Sequence, residues 1–356
     1  MQGKAIIVRT SYLLCFAAVS GFIFFILFMP EASVGAVKYG LTLCGEIIIP
    51  SLFPFTAAAG FICSTRLSTF LDRILSLPSK LLFGCKGKTG TLSLMSVTGG
   101  FPIGGKLISD MYGRGEVEDR SASILLSFCM NGGPAFIITA VGTGLMKSTE
   151  AGIILFSASV VSALIIGIVA TRLLKPEIND GCAAEKLSVT EGLISSVCGA
   201  GSSLFGICCF TVIFSTVSEC IASLLPEGGA AVVCSLLEVT NGSIAASKHG
   251  IAAVGAALGW GGIAVHFQVF MLAKKININF PLFYVGRILH SLLTATLSFL
   301  LEKIFPVTTE TSLIDSAAYT ATPSAAASIA LMCMSFVMMM WVYFSISEAK
   351  RRSKGM

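Results

Sequence analysis

Residues 124–146 and 152–170 form two runs of about the length a helix needs to span hydrocarbon, and neither contains a charged side chain. Six more such runs, uncharged or nearly so, lie at residues 12–29, 41–63, 204–225, 251–272, 282–301 and 325–344. Sequences of this kind have few places to go in water. Of the 356 residues 54% are hydrophobic and 12% charged, about half the charged fraction of an ordinary soluble domain. A mean hydropathy of +0.87 fits a chain that meets lipid over most of its outside. The reading is an all-α polytopic membrane protein with about eight transmembrane helices.

Several function classes drop out. The net charge is +5, but the bases gather in loops, which suits membrane orientation and not a nucleic-acid footprint. The 12 cysteines sit mostly in apolar runs, with no C-x-x-C or H-x-x-x-H spacing, so they read as small buried hydrophobes and no metal or cofactor is called for. Gly87-Lys88-Thr89 resembles the end of a P-loop, yet Leu82 stands where that motif needs its first glycine. No nucleotide-hydrolysing domain and no enzyme is expected. The run at 12–29 follows Lys4 and Arg9 and lacks a small-residue cleavage site, so it reads as a retained anchor.

Two further apolar stretches are too short and too interrupted to cross. Residues 92–109 contain Thr98-Gly99-Gly100-Phe101-Pro102-Ile103-Gly104-Gly105, and residues 230–246 contain Glu238-Val239-Thr240-Asn241-Gly242. Glycine with proline breaks a helix, and broken backbone at membrane depth persists only where protein or a wet cavity surrounds it. Both read as re-entrant hairpins. With the N-terminus inside, eight crossings return the C-terminus inside, and 19 basic residues fall in cytoplasmic segments against four outside, Arg287 being left within a span. That bias is a strong positive-inside signal.

The two hairpins share letters. Residues 93–100 match residues 235–242 at Ser, Leu, Val, Thr and the final Gly, which sets Glu238 against Ser96. Each is followed by an apolar run holding a glycine pair, Gly132-Gly133 and Gly261-Gly262. Both halves therefore read span, hairpin, Gly-broken span, intact span, and three crossings per unit inverts the second unit. The organisation expected is an N-terminal anchor and loop (1–39), a first repeat (40–175), an inverted second repeat (188–305), and a C-terminal helix with a basic tail (324–356). Inverted repeats with broken helices are the architecture of secondary transporters, which hold solute where the breaks meet. Helix N-termini there favour anions. Glycine pairs also serve plain close packing.

Intramembrane polar residues are the next candidates. Glu46, beside Pro50 and Pro54, suits either a coupling-ion site or an interfacial carboxylate reaching water or Lys38. Glu238 suits a site residue or a carboxylate satisfied by backbone N–H groups. His266 follows the second glycine pair and suits a protonation role or a structural hydrogen bond. Arg287 and His290 lie three apart, on one helix face; Arg287 would pair with Glu238, an anionic solute or a headgroup. Lys106 either snorkels or biases a pore mouth towards anions. The candidate solute-binding set is Thr98, Gly99, Gly100, Pro102, Asn131, Gly132, Gly133, Glu238, Thr240, Asn241, Gly261, Gly262, His266 and Arg287.

Several of these segments carry a family resemblance. Residues 51–55 (SLFPF), 99–107 (GGFPIGGKL), 237–242 (LEVTNG), 259–262 (GWGG) with 265–270 (VHFQVF), and 286–290 (GRILH) resemble the sporulation integral membrane protein family (YlbJ-like). That family carries the Gate, or nucleoside-recognition, fold of concentrative nucleoside transporters. The resemblance covers roughly residues 40–305. It implies a role in endospore formation and, from its best-understood members, movement of dipicolinate across the outer forespore membrane from the mother cell. Gate-fold relatives assemble as oligomers, so a homo-oligomer is implied too. The ferrous-iron relatives' hairpin cysteine is absent, Phe101 preceding Pro102, and no GTPase is attached. The reading is a transporter of a small anionic solute in contact with membrane lipids; the alternatives are a non-transporting assembly protein of the spore envelope and a nucleoside transporter.

Overall fold

A computed structural model describes residues 2–85, 87–179 and 186–307 of the chain. Contacts divide the chain into two units, one of Met1–Lys38 with Asp315–Met356 and one of Tyr39–Ile314. In the first, the described residues are helical: α1 (Gln2–Phe28) and most of α2 (Pro30–Leu43). The expected crossing at 325–344 lies outside the described residues.

The second unit opens with a π-helical turn, Cys44–Ile48, leading into α3 (Ile49–Ser64). Two short helices, α4 (Leu67–Ile74) and α5 (Ser76–Phe83), precede the first hairpin, α6 (Gly87–Gly99) and α7 (Phe101–Gly113). Next come α8 (Asp119–Leu126), a non-helical link, a π-helix at Ala135–Leu145, and α9 (Thr149–Leu174). The succession then recurs. α10 (Val189–Ala222) precedes a second hairpin, α11 (Glu227–Leu237) with α12 (Val239–Ser247); α13 (Ile251–Trp260) and α14 (Gly262–Leu272) form a broken span; α15 (Phe280–Ile304) is intact. Among the described residues there is no strand, as the all-α reading expected.

Among the described residues, four segments are long and apolar enough to cross a bilayer: Thr149–Leu174, Val189–Ala222, Ile251–Leu272 and Phe280–Ile304; counting the bent pair Phe16–Phe28 with Pro30–Ile48 as one span makes five. The expected runs at 41–63 and 124–146 are instead divided, leaving the shorter apolar pieces Leu52–Ser64 and Ala135–Leu145. The divisions have local causes. In the first run the ordinary helix gives way to the π-turn at Cys44–Ile48, and Pro54, inside α3, leaves the Pro50 carbonyl without its helical donor. Near 130, Asn131-Gly132-Gly133 lie outside any helix, and the helix resumes at Pro134.

The long helices carry ordinary stop and start signals. Ser148 accepts from Ala151 N to cap α9, Ser188 and Glu191 form a reciprocal capping box on α10, and Asn279 accepts from Leu282 N at the start of α15. The core draws on both halves: Ile108, Leu125, Leu126, Met130, Ile137 and Leu155 from the first, and Val254, Leu258, Val269 and Phe283 from the second. Packing between halves comes in exchanged pairs. α3 lies on α10 and α9 on α15, and α7 lies on α14 as α12 lies on the 135–145 π-helix; within each half, α10 meets α14 as α3 meets that π-helix.

Candidate functional site

All four helix breaks meet in space. The first hairpin turns at Gly100, whose φ of +88° is a backbone state that suits glycine alone, and Pro102 fills the first turn of α7, where a missing N–H is harmless. Gly133 lies against it: a Cβ on Gly133 would stand 3.2 Å from Gly100 N. The second hairpin breaks without glycine. Glu238 is extended (φ −141°, ψ 131°) and its Oε2 accepts the Asn241 N–H at 2.8 Å, capping α12. Against that break sits Gly262, φ +77°, where a Cβ would come within 2.8 Å of Val239 N. The Phe101 ring joins the two pairs, for Gly132 and Gly261 each back onto it.

Arg287 of α15 closes this crossing from one side. It is 0% exposed, and its Nη1 donates to Met130 O at 2.7 Å, with Gly259 O at 3.5 Å. Those carbonyls precede the two glycine pairs. Its Nε and Nη2 have no hydrogen-bond partner, and it makes no ion pair among the described residues. His290, one turn on, sets Nδ1 against Gly259 O at 3.1 Å and Nε2 against Ser159 O at 3.0 Å. The shared face expected of Arg287 and His290 is therefore real, and both grip Gly259 O. Other buried polar atoms here lack partners: Asn131 Oδ1 and His266 Nδ1, although Asn131 Nδ2 donates to Phe128 O and His266 Nε2 meets Trp260 O. An unpaired buried polar atom costs about 1–3 kcal/mol, so their clustering marks the crossing as a place adapted to something besides packing.

The other candidates divide. Gly99 ends α6 and is buried beside Ile103. The Thr98 hydroxyl donates back to Leu94 O and Met95 O of its own helix. Thr240 and Asn241 lie in the first turn of α12, the Asn241 backbone and not its side chain making the capping bond. Glu238, 2% exposed, is held by a backbone N–H, and the pairing with Arg287 that the sequence suggested does not form because Arg287 reaches carbonyls instead. Glu46 is exposed within the Cys44–Ile48 π-turn. The described cysteines are free.

One correction concerns the letter match between hairpins. Ser96, set against Glu238 by the sequence, lies inside α6 and donates to Ser93 O, one turn before the Gly100 break. The two breaks are thus offset by four residues relative to the shared letters. The physical reason is that each hairpin breaks by a different device, a positive-φ glycine in one and an N-capping carboxylate in the other. Glycines also divide by use. Gly104 lies inside α7, where a Cβ would collide with Cys129 O, so it permits close packing and makes no break.

A pocket of about 250 Å³ lies off the crossing, between α3, α4, α6, α7 and the start of α10. Its charged lining is Asp72, Lys88, Lys106, Asp110, Arg114, Glu116 and Lys186. Glu116 is shared by Arg114 at 2.9 Å and Lys88 at 3.5 Å, while Lys106 pairs with Asp110 at 3.0 Å. Burial pushes the Asp72 carboxyl above its ordinary range and the Lys186 ammonium below its own. Sequence reading singled out Lys106 alone, as a base that snorkels or biases a pore mouth, and missed the pocket because its other charged residues entered only as loop charges. The signal available was that Lys106, Asp110 and Arg114 recur every four residues, on one face of α7.

The chain is similar to the sporulation integral membrane protein YlbJ of Bacillus subtilis (strain 168), being 23% identical over 320 residues that cover 77% of this chain and 78% of that protein. No family model matches it, and no solved structure does. The YlbJ-like resemblance read from the sequence is borne out by a relative that runs along most of both chains. With the apolar helices, it makes this an integral membrane protein similar to one of sporulation.

Proposed function

We propose that this protein carries a small anionic solute across a membrane during sporulation, by alternating exposure of a site at the crossing of the four breaks. Dipicolinate is the solute that the family resemblance implies, and the outer forespore membrane the place, with both termini cytoplasmic. One observation carries the reading: Arg287 is wholly buried, with two nitrogens unpartnered and no carboxylate paired with it among the described residues. Uncompensated charge of that kind is expensive, several kcal/mol even after relaxation, and an anionic solute is the missing counter-charge. The α7 and α14 N-termini, which have no side-chain cap, supply N–H groups towards the same charge.

The recurring element order and the exchanged packing between halves support two Gate-type repeats. Their inversion, with hairpins dipping from opposite faces, follows from the basic-residue bias of the loops. Asn131, Glu238, His266 and Arg287 are at most 2% exposed, so this conformation is closed at the crossing, and the charged pocket lies on the side that the bias assigns to the cytoplasm. The remaining candidates, Thr98, Thr240 and Asn241 among them, shape the hairpin tips in this reading.

Purified protein in vesicles tests it. Labelled dipicolinate is expected to accumulate in vesicles holding the wild type and not in those holding Arg287→Gln, with both proteins monodisperse in detergent. Absence of uptake by wild type would favour the structural role in the spore envelope, and competition by free nucleosides would favour a nucleoside carrier.

A further inference from the structure

We infer that the charged pocket between α3, α4, α6, α7 and the start of α10 is a second anion site, an intake site that holds a small oxyanion against Lys186 on its way to the crossing. The inference rests on the carrier reading for its place in transport, but the site itself rests on charge and geometry. Four bases and three acids line the pocket, a surplus of one positive charge. Neither pairing lattice removes that surplus, for Glu116 serves two bases at once and Lys106 is matched by Asp110 alone.

Lys186 is the base left over. Its Nζ donates to Ser68 Oγ at 2.7 Å and to Cys63 O at 3.3 Å, both neutral acceptors, and it makes no ion pair among the described residues. An ammonium has three donors, so one remains for a ligand oxygen. Asp72 acts on Lys186 through its field without forming an ion pair, and its charge is already in the tally. A single ammonium beside hydroxyls suits an oxyanion, and a volume of about 250 Å³ suits a small one.

The pocket also leads somewhere. Thr56, Ser64, Ser195 and Ser196 line it, with Ser64 and Ser196 hydroxyls 3.4 Å apart. Thr56 stands one turn of α3 from Leu52, and Leu52 packs on Gly100 at the hairpin break. A four-residue step along a helix is about 6 Å. Thr56 thus brings the pocket's inner end within about one helical turn of the break, while Lys186, bonded to Cys63 O eleven residues along α3 from Leu52, seats the anion about 16 Å from it.

Chemical modification at Ser195→Cys tests the site without needing transport. The rates of an anionic sulfonate-bearing and a cationic trimethylammonium-bearing methanethiosulfonate are read at position 195 by peptide mass spectrometry, each normalised to the reagent's rate with 2-mercaptoethanol. The expected ratio favours the anionic reagent on the order of tenfold, as a charged cleft focuses counter-ions, stays high in Lys186→Arg and falls towards unity in Lys186→Gln. Protection by an aromatic dicarboxylate alone assigns an organic carboxylate, and protection by inorganic phosphate as well assigns a general oxyanion site. A ratio near unity in the parent protein, no change in Lys186→Gln, or no protection by either anion would overturn the inference. Arg287→Gln separates the two readings: it is expected to abolish uptake while leaving the ratio at position 195 unaltered. A high ratio without uptake by wild type would retain the pocket and sink the carrier; uptake with a ratio near unity would do the reverse.

Discussion

Replacing Arg287 by Gln isolates the central physical claim, because the side chain's costs and gains run in opposite directions. The bond from Nη1 to Met130 O at 2.7 Å is a charged one, worth about 1.5–3 kcal/mol, and removing its donor leaves the carbonyl unpaired at a further 1–3 kcal/mol or so. Against this, the substitution removes a buried charge without a counter-ion, a penalty of several kcal/mol, together with two unpartnered N–H nitrogens. A glutamine amide still donates one bond. The terms nearly cancel, so Arg287→Gln should unfold within about 2 kcal/mol of wild type, on the stable side if anything. Solute binding should behave otherwise. At a hundred times its dissociation constant a ligand stabilises the protein by about 2.7 kcal/mol, a rise in melting temperature of about 4 °C for a chain of this size. Thermal unfolding in detergent, with and without dipicolinate, should show that rise in wild type and none in the variant, and vesicle uptake should fall about a hundredfold. A variant that loses more than about 3 kcal/mol yet keeps the ligand-induced rise would show Arg287 to be a clamp on Met130 and Gly259, and the reasoning would fail.

Three further outcomes follow from the geometry. Glu238→Ala removes the cap on Asn241 N and should cost about 0.5–2 kcal/mol of stability; Glu238→Gln keeps an acceptor, so if it also keeps uptake and its pH profile, the carboxylate is a cap and not a coupling-ion ligand. Gly262→Ala places a Cβ 2.8 Å from Val239 N at a φ of +77°, which should cost roughly 1–2 kcal/mol from backbone strain alone and abolish uptake, whereas normal uptake would show that the hairpin and the broken span separate freely. In the pocket, Asp72 is raised and Lys186 lowered by burial; as pH falls Asp72 takes up a proton, and as pH rises Lys186 gives one up, so net positive charge increases with acidity in both cases. The normalised reagent ratio at Ser195→Cys should therefore rise as the pH is lowered, and a flat profile would remove either titration from the account.

The breaks were legible in the sequence because their causes are local. Gly100 before Phe101-Pro102, and Gly261-Gly262, announce backbone states that other residues resist, and an apolar chain gives such states few excuses. The convergence of the breaks was legible too, through the repeated order of elements. What the sequence concealed was non-local. Nothing in residues 285–290 tells that Arg287 reaches Met130 O; the sequence marks only the acceptor, for Pro134 has no N–H to offer that carbonyl. The π-helix at Ala135–Leu145 leaves no mark in an apolar pattern that suits an ordinary helix equally well. The alignment of Ser96 with Glu238 misled for a related reason: similar letters do not place a break when one hairpin turns on a glycine and the other on a carboxylate.

The charged pocket was concealed by the rule that revealed the orientation. Counting Lys88, Lys106, Arg114 and Lys186 as loop bases treats them as interchangeable, and a positive-inside count needs no more. Their separation into paired and unpaired charges depends on where Asp110 and Glu116 fall, and on residue 186 returning beside Ser68 after a long excursion through α5 to α9. The consequence is a gradient of charge. Lys186 is half-buried and hydrogen-bonded to neutral groups, Arg287 is fully buried and bonded to backbone carbonyls, and no carboxylate pairs with either among the described residues. A cation passing along this line would meet unbalanced like charge at both ends, and an anion would meet its complement twice, first where water still screens the attraction and then where it does not. Such an order of sites raises the anion's local concentration before it faces the step of losing its hydration, which is the sequence of events a carrier for a small anion requires.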